Sequence, residues 1–258
     1  MASMRDIKRR KDSIQSTGQI TKAMKLVSTV KLQKAKGRAE NTKPYFDLMY
    51  ETVQSILAKS GHINHKYLKE SESDKKAVIV VTANRGLAGG YNSNITRMII
   101  DEGFTKENTV VYAVGKKGRE LLERKGYEIK ADYSEAINDP IYKDAKEICD
   151  DVLSAFADGE VGEIYLAYTV FKNTVVHEPQ LIRLLPVEAD DAAHETDGSE
   201  ALMTYEPSEE EALDMIIPKY VCSLVYGALI ESVASENGAR MQAMDSATSN
   251  AEEMISTL

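Results

Sequence analysis

From Met4 to about Ala58 the sequence carries no cluster of turn residues and a single proline, Pro44. Good helix formers dominate, with Gly18 and Gly37 as the weak points. Apolar residues recur at helical spacing, at Ile7, Ile14, Ile20, Met24 and Val27, and again at Phe46, Met49, Val53, Ile56 and Leu57. A helix of about 55 residues is ~80 Å long at ~1.5 Å rise per residue, a length that only a coiled coil or a strut needs. The apolar stripe is narrow in the first half and wide in the second. The second half is therefore expected to pack on a domain, and the first to project from it with one helical partner.

The other end of the chain supplies that partner. Pro207-Ser208-Glu209-Glu210-Glu211 reads as a helix start, since acids there complement the helix dipole. From there to Leu258 only Pro218, Gly227 and Gly238 interrupt, and Met241, Met244, Thr248, Ala251, Ile255 and Leu258 keep a stepping of three and four. Each helix alone leaves its stripe exposed, so residues 1–60 and 207–258 are expected to form one antiparallel coiled-coil shaft. Ends that finish flush predict paired residue numbers totalling about 262–264. That register places Ile7 and Ile14 beside Ala251, Ile255 and Leu258, and Met24 at the level of Arg240 and Met241.

Between the two helices the texture changes. Residues 61–76 read as a polar linker, 77–187 as an α/β domain and 188–206 as an acidic loop. Ala77–Thr82 and Thr109–Val114 are β-branched runs of the kind buried on both faces, each followed by a helical stretch, at 92–103 and 116–125. Residues 140–157 read as another helix, and 161–171 and 180–187 as a hairpin turning at Lys172-Asn173. The fold class is thus α/β: a Rossmann-like domain with a mostly parallel sheet, plus the long coiled coil.

Charge separates along the same lines. Residues 1–43 hold 12 Lys/Arg and 3 Asp/Glu, whereas the remaining residues hold 20 and 38. Such a basic arm points to an acidic protein surface or to nucleic acid, or else is a solvated face. Lys8, Arg9, Arg10, Lys22 and Lys25 carry much of it. No aromatic residue interleaves the arm's charges, no nucleic-acid-binding module is recognisable, and the acidic body repels phosphates. Two cysteines without zinc or CxxC spacing fit a reducing compartment, and no continuous run of about 18 apolar residues or signal core is visible.

Catalytic patterns are sparse. The turn Ala83-Asn84-Arg85-Gly86-Leu87-Ala88-Gly89-Gly90 follows a strand and opens a helix, the place of a phosphate cradle. Its glycines fit neither GxGxxG nor GxxxxGK[ST], and a tight turn packed on the sheet explains them as well. The four histidines lack ligand-spaced partners, and no GxSxG elbow exists. Neither a catalytic group, a cofactor site nor a metal site is expected.

Three segments together carry a resemblance: Ile7-Lys8-Arg9-Arg10 through Ile20-Thr21-Lys22-Ala23-Met24-Lys25-Leu26-Val27-Ser28; Arg85-Gly86-Leu87-Ala88-Gly89-Gly90-Tyr91-Asn92; and Ser235-Glu236-Asn237-Gly238-Ala239-Arg240-Met241 through Asn250-Ala251. They closely resemble the gamma subunits of bacterial F-type ATP synthases, with weaker matches at Phe171-Lys172-Asn173-Thr174, Leu184-Leu185-Pro186 and Tyr205-Glu206-Pro207. The family's further C-terminal motif, Ile-Thr-x-Glu followed by Gly-Ala, has no counterpart here, nor has the cysteine pair inserted in plastid members.

The resemblance implies a non-catalytic rotor whose shaft turns inside a hexamer of alpha and beta subunits, coupling proton flow to ATP synthesis. Its α/β foot meets the epsilon subunit and the c-ring, at the cytoplasmic face of the bacterial cell membrane. Lys8, Arg9, Arg10, Lys22, Met24, Lys25 and Arg240 become candidates for the hexamer-facing surface, and Tyr205 for the c-ring and epsilon contact. The readings it displaces are a nucleic-acid-binding coiled coil and a nucleotide-binding α/β enzyme.

Overall fold

A computed structural model describes residues 4–59, 65–69, 73–187 and 208–258. Helix α1 runs Met4–Lys59 without a break despite Pro44, and α5 runs Glu209–Ser256. Ser208 caps α5, its hydroxyl accepting from the Glu211 amide at 3.2 Å. The two helices pack antiparallel over most of their length.

The seam differs from the expected one in phase. Ile20 and Val27, placed on the stripe by their spacing, are each 58% exposed. The buried positions are instead Thr21, Ser28, Leu32 and Ala35. Counting from Ile7 in steps of seven reaches Ile14, Thr21, Ser28 and Ala35, so the phase is a strict heptad that small polar residues carry through the middle. Hydrophobicity alone hides such a phase, because Thr and Ser score as surface residues. On α5 the stepping holds, with Met244 and Ala251 buried and Met241, Thr248 and Ile255 half-buried, but Leu258 lies beyond the helix and is exposed.

The register also differs. Thr21 pairs with Thr248 and Lys25 with Asp245, while a Cβ added to Gly18 would touch that of Ala251 at 3.4 Å. Paired numbers thus total 269 or 270, and the ends are not flush. The reason is length: α1 has 56 residues and α5 has 48. Ile255 stands level with Ile14, and Ile7, Lys8, Arg9 and Arg10 lie beyond the level of Leu258. Met24 stands nearer Asp245 than Met241.

Between the helices lies a five-stranded sheet of order β3-β2-β1-β4-β5, comprising β1 (Lys76–Val81), β2 (Thr109–Val114), β3 (Glu128–Asp132), β4 (Glu163–Phe171) and β5 (His177–Leu185). The first four are mutually parallel, and β5 returns antiparallel to β4. Alternate residues of β1 feed two cores. Val78 and Val80 meet α2 (Tyr91–Asp101) and α3 (Lys116–Arg124), through residues such as Ile95 and Leu122. Ala77, Ile79 and Val81 meet α4 (Tyr142–Ala157) and the root of the shaft, through Ile148, Val53, Ile217 and Val225. Each buried aliphatic side chain contributes about 1.5–3 kcal/mol.

Two further differences have clear causes. Strand β3 was not visible in the sequence, because the edge strand Glu-Ile-Lys-Ala-Asp alternates half-buried with exposed charged residues. Within the stretch expected as a polar linker, His65 and Tyr67 are core residues, 2% and 7% exposed. His65 bonds Asp214 at 3.2 Å and Lys66 bonds it at 2.8 Å, tying this segment to the first turns of α5.

An 18-residue window of α5 reaches a mean hydropathy of 1.5, long and apolar enough by composition to cross a bilayer. That window escapes a search for unbroken apolar runs because small and polar residues interrupt it. More than half of it is buried inside the protein, where α5 fills the space between sheet, α4 and α1.

Candidate functional site

In a doubly wound sheet a ligand sits outside the carboxyl ends of the strands, where the strand order reverses. Here that point lies between β1 and β4. The Gly-rich turn after β1 and the start of α2 form one wall, and the end of β4 forms the other. The chain's own α5 occupies the space between them. Tyr91 donates its hydroxyl to the Ser232 carbonyl at 3.1 Å, and Ser235 donates to the Thr169 carbonyl at 3.1 Å. Burial pushes the Tyr91 phenol far above its ordinary range, which keeps it a donor.

The turn itself is committed to internal bonds. Asn92 Oδ1 accepts from the Ala83 amide at 2.8 Å, and Asn84 Oδ1 accepts from the Lys116 amide at 2.9 Å while its Nδ2 donates to the Ser134 carbonyl at 2.7 Å. Arg240 closes the arrangement from α5. It is 8% exposed, ion-paired to Glu236 at 2.6 Å, and donates to the Gly86 carbonyl at 3.3 Å. The turn therefore presents carbonyl oxygens to a guanidinium on this side, the opposite of an amide cradle for phosphate. Arg240 reads from the sequence as an outward-facing basic residue because its partners on the turn are about 155 residues away.

The other candidates divide. Lys8, Arg9, Arg10 and Lys22 are exposed. Lys25 crosses the seam to Asp245 at 2.6 Å, so its charge is shared within the shaft. Met24 is half-buried and lines a groove of about 820 Å³ between α1, the Gly-rich turn and α5, together with Val27, Lys31, Arg85, Leu87 and Arg240. Tyr205 lies outside the described residues. Among the described residues no cluster of His, Cys, Asp and Glu is arranged to hold a metal.

Several surface features escaped sequence reasoning. Leu26, Val30 and Leu87 are 62%, 69% and 63% exposed, beside the exposed Ile20 and Val27. For Leu26 and Val30 the signal was present as apolar residues outside the heptad phase of α1, and it needed the correct phase to be read. The two cysteines, on α4 and α5, meet in the core. Sequence spacing could not show that.

Relatives agree with this mechanical picture. The model of the ATP synthase family matches residues 3–258. The ATP synthase gamma chain of Lachnoclostridium phytofermentans is 67% identical over 264 residues, covering 100% of this chain and 91% of that one. The sodium ion specific ATP synthase gamma chain of Acetobacterium woodii is 41% identical, covering 99% and 90%. Among solved structures, the Tetrahymena thermophila mitochondrial ATP synthase central stalk and c-ring contains a chain that superposes with TM-score 0.67 at 26% identity, covering 88% of this chain and 99% of that one. A chain of the Euglena gracilis mitochondrial ATP synthase rotor shares the fold, with TM-score 0.70 at 16% identity, covering 98% and 93%.

Fold and matches together define a central-stalk subunit: a two-helix shaft braced on an α/β base. The chain belongs to the ATP synthase gamma chain family.

Proposed function

We propose that the shaft turns inside a hexamer of alpha and beta subunits while the α/β base meets the epsilon subunit and the c-ring. Proton flow turns the ring, the base carries the shaft round with it, and the beta subunits, which hold the catalytic sites, are driven through their states. The complex sits at the cytoplasmic face of the bacterial cell membrane, and the chain is peripheral to the membrane. Tyr205 contributes to the base contact.

One observation carries the reading. The shaft exposes apolar side chains all along the segment where small residues close its seam, with Ile20, Leu26, Val27 and Val30 each more than half exposed. An isolated coiled coil has no use for such a surface, whereas a shaft inside a close-fitting sleeve does. Lys8, Arg9, Arg10 and Lys22 add an exposed basic surface suited to acidic loops on the sleeve. Exposed ion pairs contribute only about 0–1 kcal/mol, so they guide assembly without braking rotation. Met24 contacts the sleeve from the groove, Lys25 through its exposed edge, and Arg240 acts from behind by holding the Gly-rich turn.

Charge reversal tests the reading. Replacing Lys8, Arg9 and Arg10 together by Glu is expected to impair assembly with purified alpha and beta subunits or to lower coupled ATP synthesis, with the isolated chain still folded. Unchanged assembly and coupling contradict the proposal. Tight duplex-DNA binding with a steep salt dependence by the unmodified chain supports the nucleic-acid reading instead.

A further inference from the structure

Near the root of the shaft, α1, the end of β4 and α5 enclose a pocket of about 370 Å³. Ala39, Phe46, Tyr168, Phe171, Leu224 and Ala228 give it mostly apolar walls. Three carboxylates line it: Glu40 and Asp47 pair with Lys36 and Lys43 at the rim, and that of Glu231 stands among the apolar walls. It accepts from the Phe171 amide, but its Oε2 is buried and has no hydrogen-bond partner among the described residues. Burial pushes the Glu231 carboxyl up, and its charge also pushes the neighbouring Tyr168 phenol up, a group that burial has already raised, to about 12.

An ionised carboxylate in such surroundings costs free energy until a cation meets it. The cations on the rim have ion-pair partners of their own: Lys36 with Glu40 at 3.7 Å, Lys172 with Glu178 at 2.5 Å, and Lys43 with Asp47 at 2.9 Å, although the Lys43 charge also reaches Glu231 and partly offsets its burial. The pocket is open on one side. On the same turns of α1, Tyr45 and Leu48 are 51% and 64% exposed, so apolar surface continues around the helix.

We infer that this pocket receives a lysine or arginine side chain from a partner chain packed beside the root of the shaft, its charged head on Glu231 Oε2 and its aliphatic stem between Phe46 and Phe171. A long basic side chain suits both parts of the site, because its stem buries against apolar walls while its head stays charged. A cationic anchor in a desolvated pocket is also a common centre of binding energy. The identity of the occupant rests on the reading that partner chains close around the shaft and its base.

Glu231→Gln separates this role from a structural one by moving two measurements in opposite directions. In the isolated full chain the substitution removes an unpaired buried charge, so its melting temperature at pH 8 is expected to stay level or rise. In reconstitution with purified alpha, beta and epsilon subunits, affinity is expected to fall by about tenfold or more, the scale of a lost charged hydrogen bond. Affinity within twofold of the unmodified chain overturns the proposal. Lys43→Met is expected to leave affinity unchanged. A loss as large as that from Glu231→Gln means that Lys43 itself swings onto Glu231, which also overturns it.

A probe makes the pocket testable without partners. In the isolated chain, n-pentylammonium should lower the titration midpoint of the Glu231 carboxyl, followed by carbon NMR, while n-pentanol should not. The absence of a difference between the two overturns the proposal, whatever assembly shows. Failure of the unmodified chain to assemble at all counts against the rotor reading and leaves this probe result to decide the pocket.

Discussion

The hydroxyls of Thr21 and Thr248 lie 2.7 Å apart across the shaft, so one donates to the other, and the accepting hydroxyl gives its own hydrogen to a carbonyl of its helix, Gly18 for Thr21 or Met244 for Thr248. A polar pair at the centre of a seam fixes register, because sliding either helix buries a hydroxyl without its partner. This contact sets the level of every other residue on the shaft, including Lys8, Arg9 and Arg10.

Cysteines placed at these two positions should report the register. Thr21→Cys with Thr248→Cys is expected to form a disulfide readily under mild oxidation, since the side chains already touch. Ile7→Cys with Ile255→Cys should not, because Ile7 stands past the end of α5. Efficient crosslinking of the second pair and not the first restores the flush-ended register.

Two glycines should respond with opposite signs. Gly115 has φ of 113°, and a Cβ there would lie 2.1 Å from the Thr82 carbonyl oxygen, between β1 and the start of α3. Gly115→Ala is expected to cost at least about 3 kcal/mol through strain and overpacking. Gly37 lies inside α1 with nothing within 4 Å of an added Cβ. Gly37→Ala should stabilise by about 0.5–1 kcal/mol. Denaturant unfolding of both variants checks the pair.

Two identified groups should give stability opposing pH dependences. Burial lowers the His177 pKa from 6.5, so the folded chain prefers the neutral ring. Its contribution is present above about pH 6.5 and is lost as pH falls through the lowered value. Burial raises the Glu231 pKa from 4.5, so its contribution is present below about pH 4.5 and is lost as pH rises through the raised value. Glu231→Gln should flatten the second dependence and leave the first. An unchanged profile in that variant contradicts the assignment.

Much of this architecture was legible in the sequence for a physical reason. Both shaft helices announce themselves by length, by the acids and Ser208 at the start of α5, and by the lack of turn chemistry. The buried strands Lys76–Val81 and Thr109–Val114 are unmistakable because both faces need β-branched residues. The seam phase was harder to read. Thr21 and Ser28 lie inside and Ile20 and Val27 outside, so the apolar pattern reports the outer surface as much as the inner one. Arg240, His65 and the cysteine pair depend on contacts distant in sequence. A basic residue on a helix reads as exposed until the turn carbonyls it meets are known.

Rotation itself is the most direct test. A complex of this chain with alpha and beta subunits can be immobilised through the hexamer, with a bead attached at Asn173→Cys in the exposed turn between β4 and β5. Rotation of the bead in one sense on addition of ATP is the predicted result. ATP hydrolysis by complexes that contain the chain, with the bead stationary or turning at random, would contradict its role as the rotating shaft.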